Sequence, residues 1–574
     1  MAYDGSQTKT PSRAEQDKFA RIMREFGELQ QWRATTATHW EEVAELILPT
    51  SRNTFFYESY NWPGQKKTDR QVDATGMLAL SRFTAICDSL LTPRNMFWHS
   101  LAPEHDYLMK NRQVRLWFED TTRKLFKYRY APTANFAANN HSCYENLGAF
   151  GNGVMFVDKL MDHTGVQGLR YKCIPVGEVF IRENHQGRVD GFIRWFRLTA
   201  RQAYQRWPET FPDVLKTALE RNSEYLYNFL HYVMPNDEYD TKYLGPKGMK
   251  YQSCYVSIEG QNILQEGGYH SFPLAVGRYI QTPGEVYGRS PAMMVLPSLK
   301  TLNAEKRTFL KQGHRAADPV LLTSDDGLVD FDFRPGALNK GGMTADGKPL
   351  IQVLPTGKIE ISKEMMADEK GIINDAFLVN LFQILTETPT MTATEVIERT
   401  NEKGILLAPT VGRQQSEYLG PMIDREIDLL AQMHALDPMP ALLKEARGAY
   451  ETVYTSPISR AMRAQEAAGF MRVIEVVKEL VAVTQDPSLL DPFDFDAAIP
   501  DISDIQAVPV RWMASKDKID QKRQVRAKQM QQQAAIQAAP GQAAMMKAQA
   551  VVAKEGGAAP GGAPQQGPGP GPGQ

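Results

Sequence analysis

The residues in this sequence best suited to chemistry are its aspartates. Asp325, Asp326, Asp330 and Asp332 stand close together, and nucleases hold two metal ions with several such carboxylates. No histidine or lysine pattern accompanies them, and solvated turns and helix caps use aspartate in the same density. Asp491, Asp494 and Asp496 form a second cluster, in a proline-punctuated stretch that reads as irregular. His141 and Cys143 sit two residues apart in a helical pattern, which turns them to different sides and denies a metal both ligands. The HExxH, GxSxG and GxxxxGK[ST] strings are all missing, so a zinc hydrolase, a serine hydrolase and a nucleotide motor lack their starting residues. The glycines of 148–153 and 284–288 lack GxGxxG spacing and read as turns. No cofactor or metal is expected, and the chain reads as non-catalytic.

Other charged and aromatic groups point to surfaces. Arg194-Trp-Phe-Arg197 could stack on bases, although it also suits one face of an ordinary strand. Lys300, Lys306, Arg307, Lys311 and Arg315 make one helical segment basic, whereas Glu360, Glu364, Asp368, Glu369 and Asp375 make a later one acidic. Helices of opposite sign can pair, within one subunit or between subunits. The alternative is two solvated faces.

These residues sit in a chain of 574 with a formal net charge of −2. Several domains or one elongated multi-part subunit are expected at that length. The balance lacks the strong basic excess of a typical nucleic-acid binder, so any DNA role must be local or weakly adhesive. Cys87, Cys143, Cys173 and Cys254 form no CxxC pair and read as reduced thiols. No apolar run approaches a membrane span and the first residues are polar, so neither a membrane segment nor a signal peptide is expected.

Hydrophobic periodicity supplies the elements. Ser12 with Glu15 forms a capping box for a helix that stops at Leu48 and Pro49. Helices are also predicted from after Asp69 to before Pro93, over 112–128 and over 133–150. Strands are predicted near 154–160, 169–174, 178–181, 189–198, 225–233 and 251–259, with a short helix after Thr199. Two central helices, 290–317 and 358–385, flank a strand-containing insert with a Gly-rich loop at 336–347. Thr386-Glu-Thr-Pro-Thr-Met391 follows, and Thr392 with Glu395 opens a helical stretch to about Leu436 that Pro409 and Pro421 must kink or break. A helix over 459–483, irregular chain over 486–509, a polar helix from Ser515 and a disordered Gly/Pro/Ala/Gln-rich tail over 539–574 complete the pattern. The class is α+β, mainly helical.

This order of elements resembles the portal protein, or head-to-tail connector, of short-tailed bacteriophages, especially the T7-like group. The likeness covers the chain to about residue 530. It is carried most by Gly277-Arg278, Gly284-Glu-Val-Tyr-Gly-Arg-Ser-Pro291 and Leu296-Pro-Ser-Leu-Lys-Thr-Leu-Asn303, and less by Met391-Thr-Ala-Thr-Glu-Val396 with Arg399 and by Ser456-Pro-Ile-Ser-Arg460 with Arg463. The resemblance implies a ring, usually of twelve copies, around a channel for double-stranded DNA at a capsid vertex of the virion, assembled in the host cytoplasm. It implies a wing over 1–289, with its strand-rich part at 154–283, stem helices over 290–317 and 358–385, and a clip over 318–357. Thr386, Glu387, Thr388, Pro389, Thr390 and Met391 would form the tunnel loop, 392–439 a long kinked helix of the wing, and 440–538 the crown. The implied partners are the terminase motor, a tail adaptor, and the major capsid and scaffolding proteins. A scaffold or internal core protein, or a metal-dependent nucleic-acid-processing enzyme built on Asp325–Asp332, are the competing readings.

Overall fold

The computed structural model describes residues 12–56, 64–109, 111–162, 165–323, 331–332, 334–355, 359–380, 408–446, 448–455, 457–484, 490–505, 512–514 and 518–531. It consists of two units, Met1–Ala507 and Val508–Gln574.

In the first unit, Ser12 and Glu15 close the expected capping box, and helix α1 runs Arg13–Leu46. The inward-facing Trp40 of α1 donates its indole N–H to the Phe150 carbonyl at 3.0 Å and packs edge-on against Phe150 and Tyr287. Helix α2 (Thr75–Leu91) crosses α5 (Phe136–Phe150) at Gly148, where any side chain would overlap Leu80 and Phe83. Between them in sequence lie β1 (His99–Pro103), the single turn α3 (Asp106–Met109) and α4 (Arg112–Arg129), which Asn111 caps. Pattern reading began α5 at Thr133. The helix instead begins at Phe136, because Asn135 adopts φ 54°, a left-handed conformation that asparagine tolerates.

Among the described residues, eight strands of this unit form two sheets, beside two small outlying pairs described below. β2 (Asn152–Asp162) is central in the sheet β3-β2-β9, with β3 at Gly165–Cys173 and β9 at Leu274–Arg278. A five-stranded antiparallel meander follows: β4 (Val179–Glu183), β5 (Val189–Thr199), β6 (Leu226–Pro235), β7 (Tyr251–Ser257) and β8 (Asn262–Tyr269). Short helices α6 (Ala200–Arg206), capped by Thr199, and α7 (Lys216–Glu220) interrupt it. Alternation in register gives the meander two buried faces. Trp195, Leu230, Tyr232 and Val256 pack under Ile22 and Phe26 of α1, while Phe192 and Val233 meet Val154, Leu274 and Val276 of the three-stranded sheet. The Arg194–Arg197 run is therefore interior strand. Trp195 and Phe196 are buried, Arg194 pairs with Glu178 at 2.7 Å and Arg197 lies over Trp195.

Further along, a short helix α8 (Pro291–Met294) leads into α9 (Leu296–Ala317), and α10 spans Ile359–Ala376. The small pair β10 (Leu321–Thr323) and β11 (Ile351–Val353) lies between α9 and α10. Residues 408–432 form one helical rod containing a π-turn at Gln415–Leu419, which continues as α11 (Gly420–Gln432). That wider turn is how the rod accommodates Pro421, which has no N–H to donate. After α12 (Ala441–Glu445), strand β12 (Tyr450–Tyr454) returns to pair antiparallel with β1. One expectation fails here. The stretch before Pro509 is not all irregular, because α14 (Phe495–Ile505) forms across Pro500, after α13 (Pro457–Thr484).

Four long-range clamps hold this unit together. Arg129 and Glu426 form a fully buried ion pair; Tyr171 donates to the same carboxylate at 2.7 Å, and Trp98, Phe126 and Phe136 surround the guanidinium. Removing one partner of such a pair costs about 3–5 kcal/mol, because the other charge is stranded. Arg33 donates to the carbonyls of Phe55, Val176, Gly177 and Val179. Arg425 reaches Val157 and Ser271. Arg278 is described with the candidate site. In the second unit, every described residue of the helix over 518–531 is exposed, in keeping with its Lys518, Lys522, Arg523, Arg526 and Lys528.

Two buried histidines add a pH dependence. His99 shares a 2.8 Å hydrogen bond with Arg129, and burial, then that guanidinium, pulls it well below the ordinary histidine range. His231 stacks on Tyr255 and bonds Ser253, and burial, then Arg194 and Arg206, pulls it down likewise. The unfolded chain protonates both near pH 6.5 while the native state resists, so their contribution is complete above that pH and is lost as the pH falls below it. The urea midpoint should therefore fall between pH 7 and pH 5, and His231→Gln should flatten that slope by up to one proton. An unchanged slope in the variant would exclude His231 as a source.

Candidate functional site

The segment that joins the body to the central helices is built from residues with one steric option each. Gly151 (φ 77°) and Gly288 meet backbone to backbone, and a Cβ on Gly151 would overlap the Gly288 carbonyl. Asn152 locks the crossing, accepting from the Gly288 N–H at 2.9 Å and donating to the Phe150 carbonyl. The Tyr287 hydroxyl accepts from the Ile181 N–H. Ser290 caps α8, accepting from the Met293 N–H at 3.0 Å and donating to the Ala149 carbonyl at 2.8 Å. Arg278 is 2% exposed, yet binds Glu183, Glu417 and the Val286 and Gly187 carbonyls. Its own carbonyl accepts from Gln414 at 2.7 Å. Gly277-Arg278 and Gly284–Pro291 thus form the joint where β9, the π-turn and α8 meet.

From that joint α9 and α10 run out as a hairpin. Its proximal half is fastened to the body: Leu299 fills the space left by Gly76, Asn303 accepts from the Val72 N–H at 2.8 Å and donates to the Arg70 carbonyl, and Leu302 is buried in one core with Met366, Ile373 and Phe377. Its distal half is not. No residue over 303–317 or 360–365 is buried.

The charges sort by position. Lys300 pairs with Glu42 at 2.6 Å, Arg307 donates to the Arg70 carbonyl at 2.7 Å, and Lys306 lies over Phe309. Lys311 and Arg315 are exposed, as are Glu360, Glu364 and Asp368. Among the described residues no ion pair joins α9 to α10, although Lys370 of α10 reaches Asp73 of the body at 4.0 Å. The basic and acidic rows therefore do not neutralise each other within one subunit. Arg307, Lys311 and Arg315 recur every four residues along one side of α9, Arg307 at its base also reaching the Arg70 carbonyl, and Glu360, Glu364 and Asp368 recur likewise on α10 away from Met366 and Ile373. Beside the acidic row, Ile361, Met365 and Ile372 are 57%, 50% and 50% exposed.

The second helix is broken within its expected span, whose end at Leu385 lies outside the described residues. It is interrupted after Ala376, with helical backbone resuming at Val379 and Asn380, because Leu378 adopts φ 61°. That conformation costs a residue with a Cβ roughly 1–2 kcal/mol, and burial of Phe377 and Val379 on either side holds it in place. Thr386, Glu387, Thr388, Pro389, Thr390 and Met391 lie outside the described residues, as do Asp325, Asp326 and Asp330. Leu378 and Val411, which flank the segment containing the threonines, line one small cavity with Phe83 and Cys87. Asp332 acts as a turn residue, its backbone exchanging hydrogen bonds with the Asn339 amide. Among the described residues no group of histidine, cysteine and carboxylates is placed to hold a metal.

Sequence reading missed Arg129 and Glu426. The signal was present, since Glu426 falls at helical spacing with Met422, Ile423, Leu429 and Leu430, and Arg129 with Val114, Phe118 and Leu125. A lone charge on an apolar stripe marks a partner elsewhere in the chain.

A body clamped across its length, a sterically fixed joint and a two-helix projection with exposed charged rows define a structural subunit with faces to cover. The comparisons agree with that class: residues 20–513 match the bacteriophage head to tail connecting proteins, and the chain belongs to that family. It is 28% identical to the probable portal protein of Bordetella phage BPP-1, over 92% of this chain and 94% of that protein. It is 27% identical to the portal protein of Salmonella phage epsilon15, over 91% and 93% respectively.

The joint can be tested by contrast. Gly284 (φ 84°) has open space around it, so Gly284→Ala should lower stability by about 1–2 kcal/mol from backbone conformation alone. Gly151→Ala must in addition move a backbone and should lower it by roughly 3 kcal/mol or more. Equal losses in denaturant titrations would show that the crossing is not tight.

Proposed function

We propose that this chain is a portal subunit, one copy of a ring at a capsid vertex through which double-stranded DNA enters and leaves and to which the tail attaches. The observation that carries this reading is the family match over nearly the whole chain, joined to two relatives named as portal proteins over more than nine-tenths of their length. The α9–α10 hairpin serves as the stem and 318–357 as the clip. Residues 386–391 serve as the tunnel loop, the body before Arg289 together with the rod 408–432 as the wing, and the helices from Pro457 as the crown.

Physical features support the assignment. A stem whose distal half buries nothing within its own chain needs neighbours. The clip strands keep Leu321, Leu322, Val353 and Leu354 exposed, which suits a tail adaptor or a terminase motor. Helix α13 exposes Val473, Val476, Leu480 and Val483 at spacings of three and four, a second face that copies of the chain can cover. A formal charge of −2 leaves the chain without an overall cationic excess to attract the duplex. The subunit needs no catalysis of its own, and the packaging energy comes from a separate ATPase. The capsid and scaffolding proteins complete the partner set.

Electron microscopy of the purified chain should show rings with a central opening wide enough for duplex DNA; monomers at high concentration would overturn the reading. Deleting Thr386–Met391 should leave the rings intact but reduce the DNA packaged or retained in particles. Full retention would remove the tunnel loop from that segment.

A further inference from the structure

The outer faces of the hairpin differ in sign, and that difference specifies how copies meet. A ring of identical subunits uses a heterologous contact, in which one surface of each copy meets a different surface of the next. Arg307, Lys311 and Arg315 occupy one outer face, with Leu310 exposed beside them. Glu360, Glu364 and Asp368 occupy the other, with Ile361, Met365 and Ile372 exposed beside them. Neither row is neutralised by the opposite helix of its own chain.

Resting on the portal reading, we propose that adjacent subunits join through these faces, α9 of one copy lying against α10 of the next. The two helices run in opposite directions, so rows that both repeat every four residues stay in step. Arg315 then stands level with Glu360, Lys311 with Glu364 and Arg307 with Asp368, while Leu310 meets Met365. Leu302 and Ile373, which share the buried core at the base of the hairpin, fall on the same progression. Rotation about a channel axis parallel to the helices preserves these levels between copies. The partner is a second copy rather than DNA for two reasons. The cationic and acidic rows match in number and spacing, and the acidic row borders an apolar strip, Ile361, Met365 and Ile372, that a phosphate backbone would leave wet. Three cationic side chains per copy facing the channel would also add counterion release at every subunit.

Charge reversal tests this in the full-length chain, at positions without other ion pairs among the described residues. Lys311→Glu with Arg315→Glu makes both outer faces acidic; Glu360→Lys with Glu364→Lys makes both basic. Each double variant should sediment as a monomer at a concentration tenfold above that at which the wild type forms rings, with unchanged circular dichroism and melting. An equimolar mixture of the two should recover rings of alternating composition, and so should the four substitutions combined in one chain. Rings formed by either double variant alone at the wild-type concentration would overturn the interface and leave the portal reading standing. If such rings also lost DNA retention, the cationic row would face DNA instead. Failure of the wild type itself to form rings would overturn the portal reading. Double variants that are monomeric alone and recover no rings in the mixture would likewise count against the proposed pairing.

Discussion

Burying the guanidinium of Arg129 imposes the condition on which the rest of this body depends. An unpaired charge at that depth would be excluded from a stable core, so Glu426 has to arrive from 297 residues away. Its arrival brings α11 against α4 and β3, and α11 brings the π-turn whose Glu417 reaches Arg278. The two clamps together pin both sides of the long excursion from Pro291 to the rod at 408. The hairpin can then project without being packed along its length, because its base is fixed by charges and by a glycine crossing rather than by its own burial.

Those two devices explain why the joint carried the sequence resemblance. Gly277, Arg278, Gly288 and Ser290 are constrained by steric room, by a buried charge and by a helix cap, and such constraints leave a mark in the residue string. The capping box at Ser12 and the helix start at Thr199 were legible for the same reason, and the meander followed from alternation over 189–199 and 226–235. What was illegible depends on distant partners. Strand β1 is too short to declare itself without β12, the turn at Leu378 defeats a helical period that otherwise continues, and Pro500 sits inside a helix that its residue type argues against. The charged rows were visible as rows, but whether they faced each other required the packing of Leu302 and Ile373 to be known.

The overall charge of −2 conceals this segregation. Averaged over the chain, the basic and acidic rows cancel and announce neither nucleic acid nor partner. Resolved on the helices, they are separate surfaces whose apolar borders a solvated helix would not need. Net charge describes solubility and long-range steering; it carries no information about which side of a helix bears which sign.

The pairing of β1 with β12 also sets an order of events during synthesis. The Thr455 hydroxyl donates to the Phe97 carbonyl across 358 residues, and at translation rates of about 5–20 residues per second the later strand emerges roughly 20 to 70 s after the earlier one. Through that interval β1 is an unpaired edge, available to another nascent chain. Its five residues and the proline at its end limit that exposure. On a message carrying several ribosomes, neighbouring copies of this chain therefore expose that edge to one another until β12 arrives.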